Sequence, residues 1–148
     1  AGAADSDAAS KGSLKTLYKS GDVSAAPGKC KVLTGVAGVR APRVAVVGLG
    51  KPGKFGVKQF RTAVAAATAA VADTKAGSIL NTLTLEDVID ESPYYLARHT
   101  VEQINEILYS FDDMKSGRKE RGMRLKSIGV SVAKRGDAAK AARGCENG

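Results

Sequence analysis

Residues 43–55, RVAVVGLGKPGKF, place the tightest limit on what this chain can fold into. A basic residue leads into an apolar run, Val44 to Val47, which stops at a glycine-lysine loop before a long alanine-rich stretch begins. A short β-branched run that hands over to a helix through glycine is the pattern of a buried strand in an α/β layer. The loop after such a strand lies at its carboxyl end, where open α/β sheets place their ligands. What this loop can hold therefore bears directly on function.

The loop imitates two phosphate-binding motifs. Gly48, Gly50 and Gly53 fit G-x-G-x-x-G, and Gly48, Gly53 and Lys54 nearly fit G-x-x-x-x-G-K-[ST]. In the second pattern Phe55 stands where the Ser/Thr belongs, so no hydroxyl is available for magnesium beside a nucleotide. The first pattern wants an acidic residue about 20 positions on, at the end of the next strand, to hold a ribose. Asp73 at that distance is followed by Thr74 and Lys75 before the next strand begins, and Glu86 and Asp87 come after it. A plain strand-to-helix turn, with glycines for backbone freedom, outweighs a Rossmann site.

A chain of 148 residues makes one domain, burying roughly two-thirds of its unfolded surface. Its 43% hydrophobic content with 5% aromatics means that Ala, Val, Leu and Ile fill the core. The formal charge of +8 permits contact with nucleic acid or an acidic partner but does not inform the fold. No apolar run approaches the ~18 residues of a membrane span. Asp5 and Asp7 argue against a transit peptide, and no apolar signal core is present. Cys30 and Cys145 stand far apart, with no neighbouring His or second Cys, and favour a reducing, cytoplasmic setting over a disulfide framework. With His99 as the single histidine, a Cys/His zinc site is excluded by inventory, and a packing or surface role suits it better than catalysis.

Residues 1–13 are small, polar and aperiodic, the pattern of a disordered leader. Residues 14–19 suit a helical turn, 21–28 a turn containing Pro27, 31–34 a strand, and 43–48 the strong strand. Phe60, Val64, Ala67 and Val71 predict a helix over 57–73, and alternation predicts a strand over 78–85. Ser92 caps a further helix with Pro93 at its first position, and Leu96, Thr100, Ile104, Ile107, Leu108 and Phe111 form its buried stripe. Residues 112–123 read as a charged loop, 124–132 as a strand, and 137–143 as a last helix that stops at the glycines of 144–148. This alternation of strands and helices predicts an α/β layered fold without internal repeats.

Several strings, in order, resemble the N-terminal domain of the M17 family, the leucyl (cytosol) aminopeptidases. VAVVGLGKPGKF resembles that family's strand followed by V-G-L-G-K, and residues 60–72 resemble its alanine-rich helix. EQINEILYSFDDMK resembles its E-G-x-x-L-G-x-Y-x-F/Y-D-x-x-K segment through Glu102, Tyr109, Phe111, Asp112 and Lys115. The likeness covers roughly residues 13–145. Gln103 and Ile107 replace small residues usual in that helix, and the family's opening strand and its N-T-D-A-E-G-R motif are not found in the chain. The resemblance implies a three-layer, macro-domain-like α/β fold, a mixed sheet flanked by helices, over residues 14–136. Residues 137–148 would then begin a linker helix toward an absent catalytic domain. The chain itself would carry no catalytic residue, metal ligand or cofactor; the parent enzyme would use two divalent ions, zinc or manganese, to release N-terminal amino acids from peptides. The implied partners are that catalytic domain and the other subunits of a homo-hexamer, with no membrane.

Two features carry alternative functions. Gly48, Gly50, Lys51, Gly53 and Lys54 could hold an anion at the following helix's N-terminus, which suits a stand-alone macro-like module binding nucleotide or ADP-ribose. Subunit contact or plain exposure explains the two lysines better. Lys115, Arg118, Lys119, Arg121, Arg124 and Lys126 form a basic patch opposed only by Glu120, so nucleic acid is an alternative partner. No aromatic residue interleaves them to stack bases, and a solvated loop is favoured. Tyr94 and Tyr95 suit helix-start packing better than stacking. A third alternative is a structural relative that has lost catalysis and serves only in assembly.

Overall fold

The computed structural model describes residues 13–51, 53–72, 74–114 and 125–148. The expected leader, apart from Ser13, lies outside these residues, as do Lys115, Arg118, Lys119, Arg121 and Arg124 of the basic patch. Helix α1 spans Ser13–Lys19. The amides of Asp22 and Val23 both donate to the Leu17 carbonyl, folding the following turn back so that Val23 is buried.

Strand β1, Cys30–Thr34, pairs antiparallel with β2, Arg43–Val47, in a register that sets Cys30 opposite Val47 and Thr34 opposite Arg43. Helix α2, Val57–Val71, packs against both strands. It stops two residues short of the expected Asp73. There the hydroxyl and amide of Thr74 both donate to the Val71 carbonyl, at 2.7 and 2.9 Å, and close the last turn.

Strand β3, Ser78–Asn81, runs parallel to β4, Ser127–Val130, and helix α3, Pro93–Met114, lies between them in sequence, making a β-α-β unit. The fold is therefore α/β, with antiparallel and parallel pairing held in two separate two-stranded ladders. Two expected boundaries move. The strand over 78–85 ends at Asn81 and becomes a 3-10 turn, Leu83–Leu85, because Asn81 Oδ1 accepts the Leu83 amide at 2.9 Å and bends the backbone. Residues 112–114, expected in a loop, continue α3; neither Gly nor Pro interrupts the chain between Pro93 and Ser116.

The last helix, α4, spans Ala138–Asn147 after a 3-10 turn at Arg135–Asp137, and runs through Gly144 rather than stopping there. Gly144 is where α4 crosses α3. A Cβ at this position would lie 2.2 Å from the Tyr94 carbonyl oxygen and 3.0 Å from the Ala97 Cβ, so only glycine lets the two backbones come this close. Buried Ala97 and Ala141 keep the same interface small.

The core forms where α2 and α3 meet. Phe55, Phe60, Val64, Val88, Leu96 and Ile104 make one cluster, with Phe60 and Ile104 almost wholly enclosed and the two Phe rings edge to face at 6.3 Å. Enclosing a side chain such as Phe60 contributes about 1.5–3 kcal/mol. Of the expected α3 stripe, Leu96, Thr100 and Ile104 are buried and Ile107 and Leu108 half-buried; the Phe111 side chain is outside the description. Val101 and Ala97 are buried as well, because α4 covers a second side of the helix.

One polar connection runs through this core. Asn81 Nδ2 donates to Thr100 Oγ1 at 2.8 Å, and the Thr100 hydroxyl donates onward to the Leu96 carbonyl at 2.8 Å. The Asn81 carbonyl accepts from the Ser131 amide at 3.0 Å. The Thr84 hydroxyl donates to the Ser131 carbonyl at 2.7 Å. Asn81 thus joins β3, the 3-10 turn, α3 and the segment after β4. Replacing Asn81 by Ala leaves the Leu83 amide without its acceptor, and urea unfolding should show a loss of about 2 kcal/mol. Gly144→Val should cost about 3 kcal/mol through the contact with Tyr94. Stabilities unchanged from the parent chain would contradict these assignments.

Candidate functional site

At the carboxyl end of β2 the glycine-lysine loop is fastened to the turn before β1. The Gly48 amide donates to the Lys29 carbonyl at 2.8 Å, the Gly28 amide to the Gly48 carbonyl at 3.0 Å, and the Gly50 amide to the Ala25 carbonyl at 3.0 Å. A Cβ on Gly48 would sit 2.2 Å from the Ala26 carbonyl oxygen. The glycine at 48 therefore serves close approach of two backbone segments. Gly50 has a left-handed φ of +81°, the region that favours glycine.

This geometry separates the residues that the motif groups together. The Gly48 and Gly50 amides, which would cradle a phosphate, already serve the protein's own carbonyls. Lys51, Gly53 and Lys54 are exposed beyond them. At the start of α2 the Gly56 amide donates to Gln59 Oε1 at 3.3 Å. Phe55, in the Ser/Thr position of the nucleotide motif, is buried in the core. Its carbonyl accepts the Ile89 amide at 3.0 Å, so this end of the loop anchors the segment leading into α3.

A second grouping lies on the first turns of α3. His99 Nδ1 is 3.3 Å from Glu102 Oε2, and its Nε2 is 4.0 Å from Glu91 Oε1. The ring stacks on Tyr95 at 28° between planes. Glu102 Oε1 accepts from Arg98 Nε at 2.7 Å. The two carboxylates approach opposite ring nitrogens, so ring and acids do not converge on one point. Among the described residues, no group of three or more His, Cys, Asp or Glu side chains is placed to hold a metal ion. Tyr94 accepts from Asn147 Nδ2 at 3.2 Å, a helix-packing contact, whereas Tyr95 is half exposed.

The two thiols are poorly activated. Cys30 and Cys145 are free thiols, and burial pushes both pKa values up, with Glu146 adding to the effect at Cys145. A raised thiol pKa disfavours the reactive thiolate. Lys126, the member of the basic patch within the described residues, is exposed, and its amide donates to the Gly77 carbonyl at 2.7 Å, beside the parallel ladder. Asn81 carries no motif, and the alternation over 78–85 places it inside a strand; the signal the sequence offers is an Asn, a turn-favouring residue, within that run. Among the described residues no helix is long and apolar enough to cross a membrane.

Comparison with known proteins gives a consistent match. The family model described as cytosol aminopeptidase family, N-terminal domain, matches residues 1–118. A probable cytosol aminopeptidase of Actinobacillus pleuropneumoniae serotype 5b (strain L20) is 32% identical over 142 residues, covering 96% of this chain and 28% of that protein. One from Paraburkholderia phymatum is 37% identical over 126 residues, covering 85% of this chain and 25% of that protein. One from Ralstonia pickettii is 38% identical over 137 residues, covering 89% and 27%. The chain spans about a quarter of the length of the curated relatives it matches.

The Arg98 hydrogen bond, with smaller help from His99, holds the Glu102 carboxyl below its ordinary 4.5. A carboxyl whose pKa is lower folded than unfolded contributes stability that is full above 4.5 and is lost as pH falls through the lowered value. Both side chains are partly exposed to solvent, so the contribution is small. Glu102→Gln should therefore lose slightly in stability at pH 7, and the deficit should shrink as pH falls below 4.5, measured by urea unfolding across that range. A deficit that grows as pH falls would contradict this sign.

Proposed function

The chain belongs to the cytosol aminopeptidase family, as its N-terminal domain, and we propose that it is a non-catalytic assembly and regulatory domain of a leucyl aminopeptidase. In this reading the parent enzyme releases N-terminal amino acids from peptides in the cytoplasm. Two divalent ions, zinc or manganese, and the groups that hold them belong to the part of the relatives that this chain does not span. The domain packs against that catalytic part and helps to build a homo-hexamer, using a macro-like layer of strands and helices over residues 14–136.

The coverage carries this reading: nearly all of the chain aligns with only about a quarter of each relative. The side chains described here do not fit a pair of catalytic ions. Such a site fixes several carboxylates around the metals to activate water and hold a leaving group, whereas Glu102 is engaged by Arg98 and His99 and Asp22 is paired with Lys31. The chain's contribution is geometric. The close crossing of α4 on α3 at Gly144 fixes the direction of residues 137–148, the proposed start of the linker.

The nucleotide-binding alternative rests on Lys51 and Lys54, since the Gly48 and Gly50 amides have protein acceptors. Isothermal titration with ADP-ribose tests it directly, and the scaffold reading expects no heat.

Two assays test the proposal together. The purified chain should leave leucine amide intact with manganese present. Mixed with the separately produced remainder of a relative such as the Actinobacillus protein, it should co-elute as a larger assembly on size-exclusion chromatography with light scattering. Hydrolysis by the chain alone, or elution of the two pieces as independent species, would overturn the reading.

A further inference from the structure

The chain's positive charge is not spread evenly. Residues 23–72, which supply β1, β2 and α2, contain eight basic residues from Lys29 to Arg61 and no Asp or Glu. The remaining basic residues equal the 15 acids in number, so the whole formal charge of +8 belongs to this segment. Within the described residues only one of the eight, Lys31, is ion-paired, to Asp22 at 3.7 Å.

An open groove runs between α2, which belongs to this basic segment, and α3, where Gln103 lines it and donates its side-chain amide to the Glu106 carboxylate at 2.7 Å. Ala65, Ala66 and Ala69 of α2 and Ile107 of α3 give it an apolar floor, and Lys58 and Arg61 stand on the α2 side. Neither cation has a hydrogen bond or ion pair among the described residues. Ala69 is exposed and Ala65, Ala66 and Ile107 are half-buried, so the floor is covered by no other part of the described structure.

We propose that this groove docks an acidic amphipathic helix of a partner protein, seated on the alanine face with its carboxylates against Lys58 and Arg61. Small side chains on a helix let a second helix approach at 8–10 Å and bury a strip of backbone and methyl surface. Unpaired cations beside that strip select an occupant with acidic flanks and speed its encounter. A second copy of the chain seated with its α2 on this α2 would set Lys58 and Arg61 against the same cations, which opposes self-association along that rim. A nucleic-acid duplex gains nothing from a floor of methyl groups, because its contacts are mainly to phosphates. The proposal does not depend on the aminopeptidase reading.

Fluorescence anisotropy with the 148-residue chain tests it. The probe is a labelled helical peptide of about 20 residues, carrying an Ala/Leu seam flanked by glutamates. The control replaces every glutamate by lysine, and a labelled DNA duplex forms a third arm. The glutamate peptide should bind saturably and more weakly as salt is raised, and the lysine peptide should not bind. The Lys58→Glu/Arg61→Glu variant should weaken binding at least about tenfold, by charge reversal at the rim. Ala69→Trp, which fills the groove without altering charge, should weaken it comparably; an unchanged urea midpoint shows that each variant is folded. Equal binding of both peptides, undiminished binding to Ala69→Trp, binding of the duplex but not the glutamate peptide, or concentration-dependent dimerisation through this face would each overturn the proposal.

Discussion

The hydrogen bond from Asn81 to Thr100 is the connection on which the arrangement of the described elements depends. Thr100 is fully enclosed on α3, and Asn81 stands at the end of β3, where the strand must stop and turn. An unpartnered amide in that position would cost about 1–3 kcal/mol, a large share of a small domain's total stability. The bond therefore holds β3 in one position against α3, and β4 follows through its parallel register with β3. Helix α3 is then committed on several sides, to α2, to α4 and to the parallel ladder.

That commitment explains why the conspicuous motif is structurally busy. The glycine-lysine loop looks like a phosphate cradle because its glycines permit close backbone approach, and the protein uses that approach itself. Gly48 and Gly50 bind the turn before β1, and Phe55 enters the core beside Phe60. The loop's fixed parts hold β2 to its neighbours, and only its lysines face outward. The outward surface is basic on the β1-β2-α2 side, with the alanine groove beside it.

Much of this was legible in the residues. The run Val44 to Val47, the alanine helix and the Ser92-Pro93 helix start were clear because each is a local pattern: β-branched residues, helical spacing and a cap. Phe55 in the Ser/Thr position already argued against magnesium-nucleotide binding. The family likeness lay in the order of soft motifs rather than in any one of them. What local pattern could not give was tertiary. Alternation ran on to Leu85, but Asn81 turned its side chain back to the Leu83 amide and ended the strand. Gly144 read as a stop because its neighbour across the α3 crossing, the Tyr94 carbonyl, is 50 positions away in the chain. Strand order likewise does not specify which edges pair; here the antiparallel and the parallel pairing occupy two ladders.

The central claim is that α3 makes one cooperative unit of both halves, since α2 with its antiparallel ladder and β3-β4 with α4 each pack on it. Native-state hydrogen exchange across a series of sub-denaturing urea concentrations measures this directly. Amides in residues 60–68 of α2 and 96–104 of α3 should converge on a single opening free energy equal to that of global unfolding. If the two segments instead opened at distinct free energies with different urea dependence, the halves would be independent and the account of α3 as their shared support would be wrong.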